Sequence, residues 1–263
     1  MSFSAAAGPL ADSVIATTAQ GLSAGMVSIP VAGGSIPAYR AVPAGSGACP
    51  VLLVVQEIFG VHEHIRDVAR RLAHAGYMAI APELYWRQGD TAQLQTFPEI
   101  MRIVAQVPDA QVLADLDACL AWAVEQGGDG SRLGATGFCW GGRIVWLYAA
   151  HQPALKAGVA WYGRLSGTAT DLQPRFPLDL AAALQAPVLG LYGGQDQSIP
   201  LDTVQQMQSA LTDAGSHSRI HVYPDAPHAF FADYRAGYRP DAATDGWQRM
   251  LEWFRQYGMQ GAA

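Results

Sequence analysis

The sequence predicts an α/β protein in which helices cover both faces of a mostly parallel sheet. Short apolar runs, such as residues 50–56, are typical of buried strands. Segments with helical spacing of apolar residues, such as 62–75, alternate with these runs along the chain. The chain has 263 residues, of which 50% are hydrophobic and only 14% are charged, so it can bury one large core.

The order of strands and helices follows from local signals along the chain. The turn Ala32-Gly33-Gly34 joins two short strands and predicts an opening antiparallel hairpin. Gly76 ends the first helix, Pro98 interrupts the second, and the third begins with a proline and is followed by two glycines. The predicted strands cover residues 26–30, 36–42, 50–56, 77–81, 132–137, 157–162, 187–192 and 219–223. The predicted helices cover residues 62–75, 91–106, 108–125, 144–150, 203–214 and 242–254.

Two segments fall outside this alternation. Residues 1–25 are rich in Ala, Ser, Gly and Thr, and we expect an extended arm, or a short helix plus a loop, laid on the main body. Residues 26–263 are expected to form a single domain. Residues 164–186 contain Pro174 and Pro177, and we expect this irregular stretch to form a surface excursion near the site.

The segment around Cys139 carries the strongest chemical signal. A strand-like run enters Gly137-Phe138-Cys139-Trp140-Gly141 and a helix-like run leaves it, which is the spacing of a nucleophile elbow with cysteine in place of serine. Small residues must flank such a turn so that strand and helix can approach each other. Cys139 would then project from the sheet at a helix N-terminus, where the helix dipole favours a thiolate. Together with the opening hairpin, this elbow predicts the α/β-hydrolase fold.

A cysteine nucleophile needs a base, and the base needs an acid that orients it. In this fold the three follow the chain order nucleophile, acid, base, each in a loop after a strand. Asp196 and His228 each follow a predicted strand, so we predict a triad of Cys139, Asp196 and His228. The backbone N–H groups of Trp140 and Ile58 are predicted to form the oxyanion hole.

Several other residues match sequence patterns of functional sites. Ser23 also lies between two glycines, but no strand precedes it and a strand follows it. His62 and His64 begin a helix, where residues two apart do not share a face, so we expect no metal pair there. The ordinary alternatives are that Cys139 is a buried structural thiol and that Asp196 is an exposed turn residue.

Six motifs together resemble the dienelactone hydrolases (carboxymethylenebutenolidases), and the match spans roughly residues 26–258. The motifs are Gln56-Glu57-Ile58-Phe59-Gly60, Pro82-Glu83-Leu84-Tyr85-Trp86-Arg87-Gln88, Gly137-Phe138-Cys139-Trp140-Gly141-Gly142, Tyr162-Gly163, Gly193-Gly194-Gln195-Asp196 and His228-Ala229-Phe230. The resemblance implies a Cys-His-Asp hydrolase that opens an enol-lactone through a thioester intermediate.

The resemblance also implies roles for residues around the triad. The glutamate that matches Glu57 contacts the resting thiol and takes part in its activation, and Arg87 binds the carboxylate of the substrate. Tyr85, Trp86 and Tyr162 are expected to contribute to the substrate site. From the residues alone, Glu57 could equally make an ordinary structural hydrogen bond, and Tyr162 could pack in an aromatic core.

The sequence leaves alternatives open for the substrate. Arg87 could pair with Glu83 or Asp90 instead. The second arginine of the family, four residues after the catalytic histidine, is Ala232 here, and Arg235 is out of register. The chain is therefore expected to open enol-lactones or, alternatively, to act as a broader carboxylesterase or thioesterase on less anionic substrates. A non-catalytic ligand-binding member is a third possibility, against which an intact nucleophile, acid and base argue.

Charge and cysteine content limit the expected partners and location. The formal net charge is −6 without any basic block, which argues against nucleic acid as a partner. Three cysteines form no disulfide framework, and no apolar run approaches the ~20 residues needed to cross a bilayer. We expect a cytoplasmic protein without membrane contact, a monomer or small homo-oligomer, that acts on a small-molecule ester or lactone. We expect no cofactor and no metal, since no phosphate-binding glycine loop or metal-ligand cluster is recognisable.

Overall fold

An eight-stranded sheet organises the protein, and the predicted α/β class with an opening antiparallel hairpin is confirmed. The computed structural model describes residue 7 and residues 11–262. The strands are β1 Leu22–Val31, β2 Gly34–Pro43, β3 Pro50–Val55, β4 Met78–Pro82, β5 Asp129–Phe138, β6 Leu155–Trp161, β7 Val188–Gly193 and β8 Arg219–Tyr223. Their order in the sheet is β1-β2-β4-β3-β5-β6-β7-β8. The β1–β2 and β2–β4 pairs are antiparallel, and the pairs from β4 through β8 are parallel.

Every residue of β3, β4 and β7 is buried, as the continuous apolar runs in the sequence predict for central parallel strands. The α-helices are α1 Glu63–His74, α2 Phe97–Val104, α3 Asp109–Glu125, α4 Trp140–His151, α5 Leu201–Asp213 and α6 Pro240–Gln256. Short 3₁₀ turns cover Thr91–Gln93 and Pro177–Ala183. In the described part of the chain, no helix combines the length and apolarity that crossing a membrane requires.

The prediction of one helix over residues 91–106, interrupted at Pro98, is wrong. Helix α2 begins only at Phe97, and Pro98 occupies its first turn, where a missing backbone N–H breaks no intrahelical hydrogen bond. The Glu99 carboxylate accepts a hydrogen bond from the Thr96 backbone N–H at 2.9 Å and so caps this new start. The proline is therefore a start signal for the helix, and residues 94–96 form a non-helical link before it.

Described residues 11–21 of the predicted arm precede the sheet, and β1 begins at Leu22 rather than at residue 26. Ser23 consequently lies inside a strand, paired with Val42, and not on an elbow. Residues 1–6 and 8–10 lie outside the described residues, so the form of that part of the arm stays a prediction.

The irregular segment 164–186 follows β6 and packs against helix α4. Arg143, one turn after Cys139, donates two hydrogen bonds of 2.7 Å to the Asp109 carboxylate at the start of α3. The same guanidinium donates to the Arg175 carbonyl at 2.9 Å and lies over the Phe176 ring at 4.8 Å from its centroid. These contacts attach the irregular segment and α3 to the helix that carries the elbow.

Glycines allow helix α4 to pack directly against the neighbouring strands. A Cβ atom on Gly137 would lie 2.4 Å from the Gly141 carbonyl oxygen, and one on Gly141 would lie 2.4 Å from the Val55 oxygen. One on Gly142 would lie 2.5 Å from the Trp161 oxygen. The expectation that Gly137 and Gly141 make room for strand and helix is thereby confirmed.

We expect Gly141→Ala to destabilise the protein by about 2 kcal/mol, because the clash is with backbone that cannot rotate away. Helix propensity alone would favour alanine by about 1 kcal/mol, so the sign of the change tests the packing argument. Urea denaturation measures the free energy of unfolding. Gly47→Ala is the matched control, since a Cβ there meets nothing within 4 Å. A Gly141→Ala protein as stable as wild type would contradict this account.

Candidate active site

Cys139 lies between β5 and α4 in a backbone conformation that L-residues rarely adopt. Its φ is 54° and its ψ is −112°, and its backbone N–H donates to the Trp161 carbonyl at 3.0 Å. Such a conformation costs about 1–3 kcal/mol and persists only where the surrounding structure enforces it. Cys139 is partly buried and packs against the edge of the hydrophobic core, so it is not sealed inside it.

The structure brings the sulfur, the imidazole and the carboxylate of the predicted triad together. His228 Nε2 lies 3.3 Å from Cys139 Sγ, and His228 Nδ1 lies 2.7 Å from Asp196 Oδ2. The other Asp196 oxygen accepts hydrogen bonds from the backbone N–H groups of Ser198 at 2.8 Å and Ile199 at 3.1 Å. These contacts fix the Asp196 carboxylate, and the carboxylate in turn orients the imidazole toward the sulfur.

The environment of His228 favours its protonated form. Burial alone would lower the pKa of the imidazole, but hydrogen bonds and charge attraction from Asp196 and Cys139 raise it to about 10. Asp196 itself is only 7% exposed, so solvent screens its charge weakly. A base with this affinity for a proton is suited to removing the proton from a thiol and holding it.

The two predicted oxyanion donors occupy different elements beside Cys139. Trp140 is the first residue of α4, where a backbone N–H has no partner within the helix. Ile58 lies in a tight turn closed by an antiparallel bridge between Glu57 and Gly60. We call residues 57–60 the oxyanion turn. Whether these two N–H groups bind an oxyanion stays a prediction.

Glu57 opens the oxyanion turn and is buried, with 1% exposure. Its carboxylate accepts a hydrogen bond from the Tyr234 hydroxyl at 2.6 Å and lies 3.3 Å from His62 Nε2. Burial would raise the pKa of Glu57, but His62, His64 and Tyr234 together lower it to about 2. The resemblance implied contact with the resting thiol. In the structure the thiol faces His228 and the carboxylate faces Tyr234 and His62.

Two histidines that sequence reasoning treated as ordinary helix residues belong to the surroundings of the site. His62 and His64 are buried with their rings stacked at 6.1 Å, and His64 Nδ1 lies 2.9 Å from Asp233 Oδ1. Within residues 7 and 11–262, no group of three or more metal-ligating side chains could hold a metal ion. Their position directly after the Glu57 motif is the sequence signal that could have pointed to them.

Arg87 makes a different ion pair from either of the two weighed from the sequence. Its guanidinium donates to both oxygens of Asp115, at 2.6 and 2.9 Å, so Asp115 is the partner rather than Glu83 or Asp90. It also donates to the Ala32 carbonyl in the hairpin turn at 3.2 Å. The carboxylate of Asp115 is nearly inaccessible, so this pair is strongly held. A role of Arg87 in substrate binding stays a prediction.

Aromatic side chains lie around Cys139. Tyr85 is buried edge-on against Trp140, with ring centroids 4.7 Å apart, whereas Trp86 is 52% exposed. Tyr162 has a positive φ of 37° and packs edge-on against the His228 ring at 5.2 Å. The Tyr162 hydroxyl and the Trp140 indole N–H are buried and have no hydrogen-bond partner among the described residues. Protein atoms of the described residues therefore leave the hydrogen-bonding capacity of both groups unused.

The arginine that lies out of register in the sequence lies close to the site in space. Ala232, in the family's arginine position, is fully buried. The Arg235 guanidinium lies over the ring of Phe59, 5.8 Å from its centroid, and Phe59 belongs to the oxyanion turn. Among the ion pairs of the described residues, Arg235 takes part in none.

Comparison with known proteins adds to this geometry. A family model described as "Dienelactone hydrolase family" matches residues 36–258. A relative from Salmonella typhimurium, named "Putative carboxymethylenebutenolidase", is 60% identical over 97% of this chain and 96% of its own. A Bradyrhizobium relative named "Probable 2-oxo-3-(5-oxofuran-2-ylidene)propanoate lactonase" is 32% identical over 87% of this chain and 92% of its own. A crystal structure of a "Putative Dienelactone Hydrolase" from Klebsiella pneumoniae superposes with a TM-score of 0.88 at 59% identity, covering 90% of this chain and 99% of that one.

We expect Asp196→Asn to lower the pKa of His228 from about 10 toward its ordinary value, with the contribution of Cys139 remaining. The amide removes the negative charge that stabilises the imidazolium, while burial still disfavours it. NMR titration of the ring nitrogens measures this pKa directly. Asp225→Asn is the control, because Asp225 is an exposed aspartate three residues before the same histidine. A midpoint near 10 in Asp196→Asn would show that the carboxylate is not its source.

Proposed function

The chain belongs to the dienelactone hydrolase family of α/β-hydrolase fold proteins, and from this we propose that it opens enol-lactones or cleaves activated esters with Cys139 as nucleophile. The observation that carries the proposal is the 3.3 Å separation of Cys139 Sγ from His228 Nε2, with Asp196 on the opposite ring nitrogen. A thiolate is a strong nucleophile at neutral pH and a good leaving group, which suits activated acyl compounds.

In the first half of the proposed reaction, His228 takes the proton of the Cys139 thiol. The thiolate attacks the carbonyl carbon of the lactone, and the electron pair of the carbonyl bond moves to oxygen. The backbone N–H groups of Trp140 and Ile58 donate to this oxyanion, and removing one such donor typically slows a reaction by about 10²–10³-fold. The carbonyl then re-forms as the ring C–O bond breaks. The enolate oxygen takes the proton from His228, which leaves a thioester on Cys139.

In the second half, His228 removes a proton from a water molecule, and the resulting hydroxide attacks the thioester carbonyl. The C–S bond breaks, the carboxylic acid product leaves, and the Cys139 sulfur departs as thiolate and recovers the proton from His228. The freed enol tautomerises to a ketone. Each proton taken by His228 is returned within its own half, so no external acid or base is consumed.

Glu57 belongs to the same proposed machinery, as the resemblance implies. Its carboxylate is ionised and buried, and it directly precedes the Ile58 amide that we assign to the oxyanion. Asp196 has a different function in the proposal, because among the described residues its carboxylate forms hydrogen bonds with the base and with its own loop.

The unpaired donors around Cys139 favour a substrate rich in hydrogen-bond acceptors. The Tyr162 hydroxyl and the Trp140 indole are buried without a partner among the described residues, and Arg235 forms no ion pair there. An enol-lactone that carries a carboxylate would offer acceptor oxygens to the Tyr162 hydroxyl and the Trp140 indole, and a negative charge to Arg235. The names of two relatives, carboxymethylenebutenolidase and an oxofuranylidene-propanoate lactonase, describe substrates of this kind.

A second candidate is a broader carboxylesterase or thioesterase. Arg87 is paired with Asp115, and an alanine stands at position 232 in place of the family's second arginine. An anionic substrate would therefore meet fewer free positive charges in this protein. In this proposal the charge of Arg235 favours the anionic substrate, and a comparison of anionic and neutral substrates distinguishes the two candidates.

We expect Cys139→Ala to lose hydrolysis of nitrophenyl acetate, with a fall in kcat of at least about 10³-fold and no burst of nitrophenol. Pre-steady-state absorbance measures the burst. Cys119→Ala is the matched control, since Cys119 is fully buried in α3 and burial raises the pKa of its thiol. A Cys139→Ala protein that keeps wild-type turnover would overturn the assignment of the nucleophile.

We expect Arg235→Gln to raise KM for a carboxylate-bearing enol-lactone by about 10-fold, because a charge-assisted contact is worth about 1.5–3 kcal/mol. The KM for a neutral acetate ester should stay unchanged. Arg239→Gln is the control, as Arg239 is exposed and four residues further along the same segment. An equal change for both substrates would instead support the broader esterase.

A further inference from the structure

Residues 11–18, which we call the strap, run across the segment that follows His228. The Ala11 backbone N–H donates to the Tyr234 carbonyl at 2.9 Å, and the Ser13 hydroxyl donates to the Asp233 carbonyl at 2.6 Å. The Ile15 backbone N–H donates to the Asp233 carboxylate at 3.2 Å. Three hydrogen bonds therefore join the strap to two adjacent residues that lie more than 200 positions away along the chain.

The Asp233 carboxylate also binds groups on helix α1. His64 Nδ1 lies 2.9 Å from one oxygen, and an Arg71 terminal nitrogen donates to the other at 2.9 Å. Asp233 is 1% exposed, and the Arg71 and His64 contacts lower the pKa of its carboxyl even though burial would raise it. A buried charge with donors on two sides is held rigidly, because losing either donor would leave the charge partly uncompensated and raise the free energy of the folded state.

Tyr234 connects this rigidly held segment to the candidate active site. Its ring packs edge-on against His62, with centroids 5.0 Å apart, and its hydroxyl donates to Glu57 at 2.6 Å. Glu57 is the first residue of the oxyanion turn, and the Glu57–Gly60 bridge holds Ile58 inside that turn. A continuous set of contacts thus runs from the strap through Tyr234 to the amide assigned to the oxyanion.

We propose that Tyr234 is a positioning residue for the hydrolytic reaction, and that the strap holds Tyr234 in place. Tyr234 acts through Glu57, whose carboxylate sets the position of the oxyanion turn. The proposal rests on the proposed function, because it assigns the Ile58 amide to the transition state. It also gives residues 11–18 a task in the reaction, although they lie before the first strand of the sheet.

Tyr234→Phe is the direct test, since it removes only the hydroxyl and keeps the ring against His62. Small misplacements of a catalytic group cost up to about 10²-fold in rate, so we expect kcat for an activated ester to fall about 10-fold. The KM should stay within about two-fold, because an oxyanion donor stabilises the transition state and not the bound substrate. Loss of packing alone would lower the fraction of folded enzyme and the melting temperature, which circular dichroism measures on the same samples.

Ser13→Ala tests the strap at a distance from the site. It removes the hydrogen bond to the Asp233 carbonyl, and we expect a two- to three-fold fall in kcat with unchanged KM. Thr18→Ala is the matched control, because among the described residues the Thr18 hydroxyl accepts a hydrogen bond from the nearby Gln20 backbone and makes none to residues 233 and 234. The control should keep wild-type kcat.

The outcomes separate this proposal from the proposed function. If Cys139→Ala is inactive while folded Tyr234→Phe keeps kcat within two-fold of wild type, only the positioning role of Tyr234 is overturned. If Ser13→Ala and Thr18→Ala behave alike, the role of the strap is overturned. If Tyr234→Phe does not fold, the comparison of Ser13→Ala with Thr18→Ala is the test of the positioning role of the strap and Tyr234. A lower kcat at constant KM in Tyr234→Phe and Ser13→Ala supports the whole proposal.

Discussion

The site depends on how closely helix α4 approaches the strands beside it. Gly137, Gly141 and Gly142 leave no space for a Cβ atom, because backbone atoms of the elbow, β3 and β6 already occupy it. This approach lets a helix start directly after the end of a strand, and it requires the positive φ of Cys139 between them. The strain of about 1–3 kcal/mol is offset by the packing that imposes it. The thiol is consequently held at the positive end of the helix dipole, within reach of the imidazole.

Buried carboxylates fix the remaining geometry, since each has donors on more than one side. Asp196 and Asp233 each divide their hydrogen bonds between partners on different segments of the chain, and Glu57 accepts a hydrogen bond from Tyr234 and lies 3.3 Å from His62 Nε2. Removing one partner from such a charge costs several kcal/mol, so each carboxylate restricts the groups around it. The Arg143–Asp109 pair does the same for helix α4, which it joins to α3. Charge compensation and close packing therefore act on the same few residues and hold them in one arrangement.

Much of the fold was predictable because strand burial, turns and helix ends are set by neighbouring residues. The elbow is local in this sense, and the acid and base candidates follow from the order of the loops after strands. The partners of His64 and Tyr234 were not predictable, because they lie 169 and 177 positions away and pairing over that separation leaves no periodic signal. The prediction of the second helix failed for a local reason. Pro98 fits an interruption and a first turn equally well, and the Glu99 cap decides between them.

The two arginines considered for substrate binding differ in their ion pairing. Arg87 stands in the motif, but it gives two donors to Asp115, which is nearly inaccessible to solvent. Binding a substrate carboxylate would require Arg87 to exchange at least part of this ion pair. The Arg87 side chain remains 27% exposed, so its charge is not fully withdrawn from solvent. Arg235 stands in no motif, yet it lies against Phe59 in the oxyanion turn and has no ion pair among the described residues to give up. Among the described residues, the Arg235 guanidinium therefore lies beside the oxyanion turn without an ion pair, whereas Arg87 is paired.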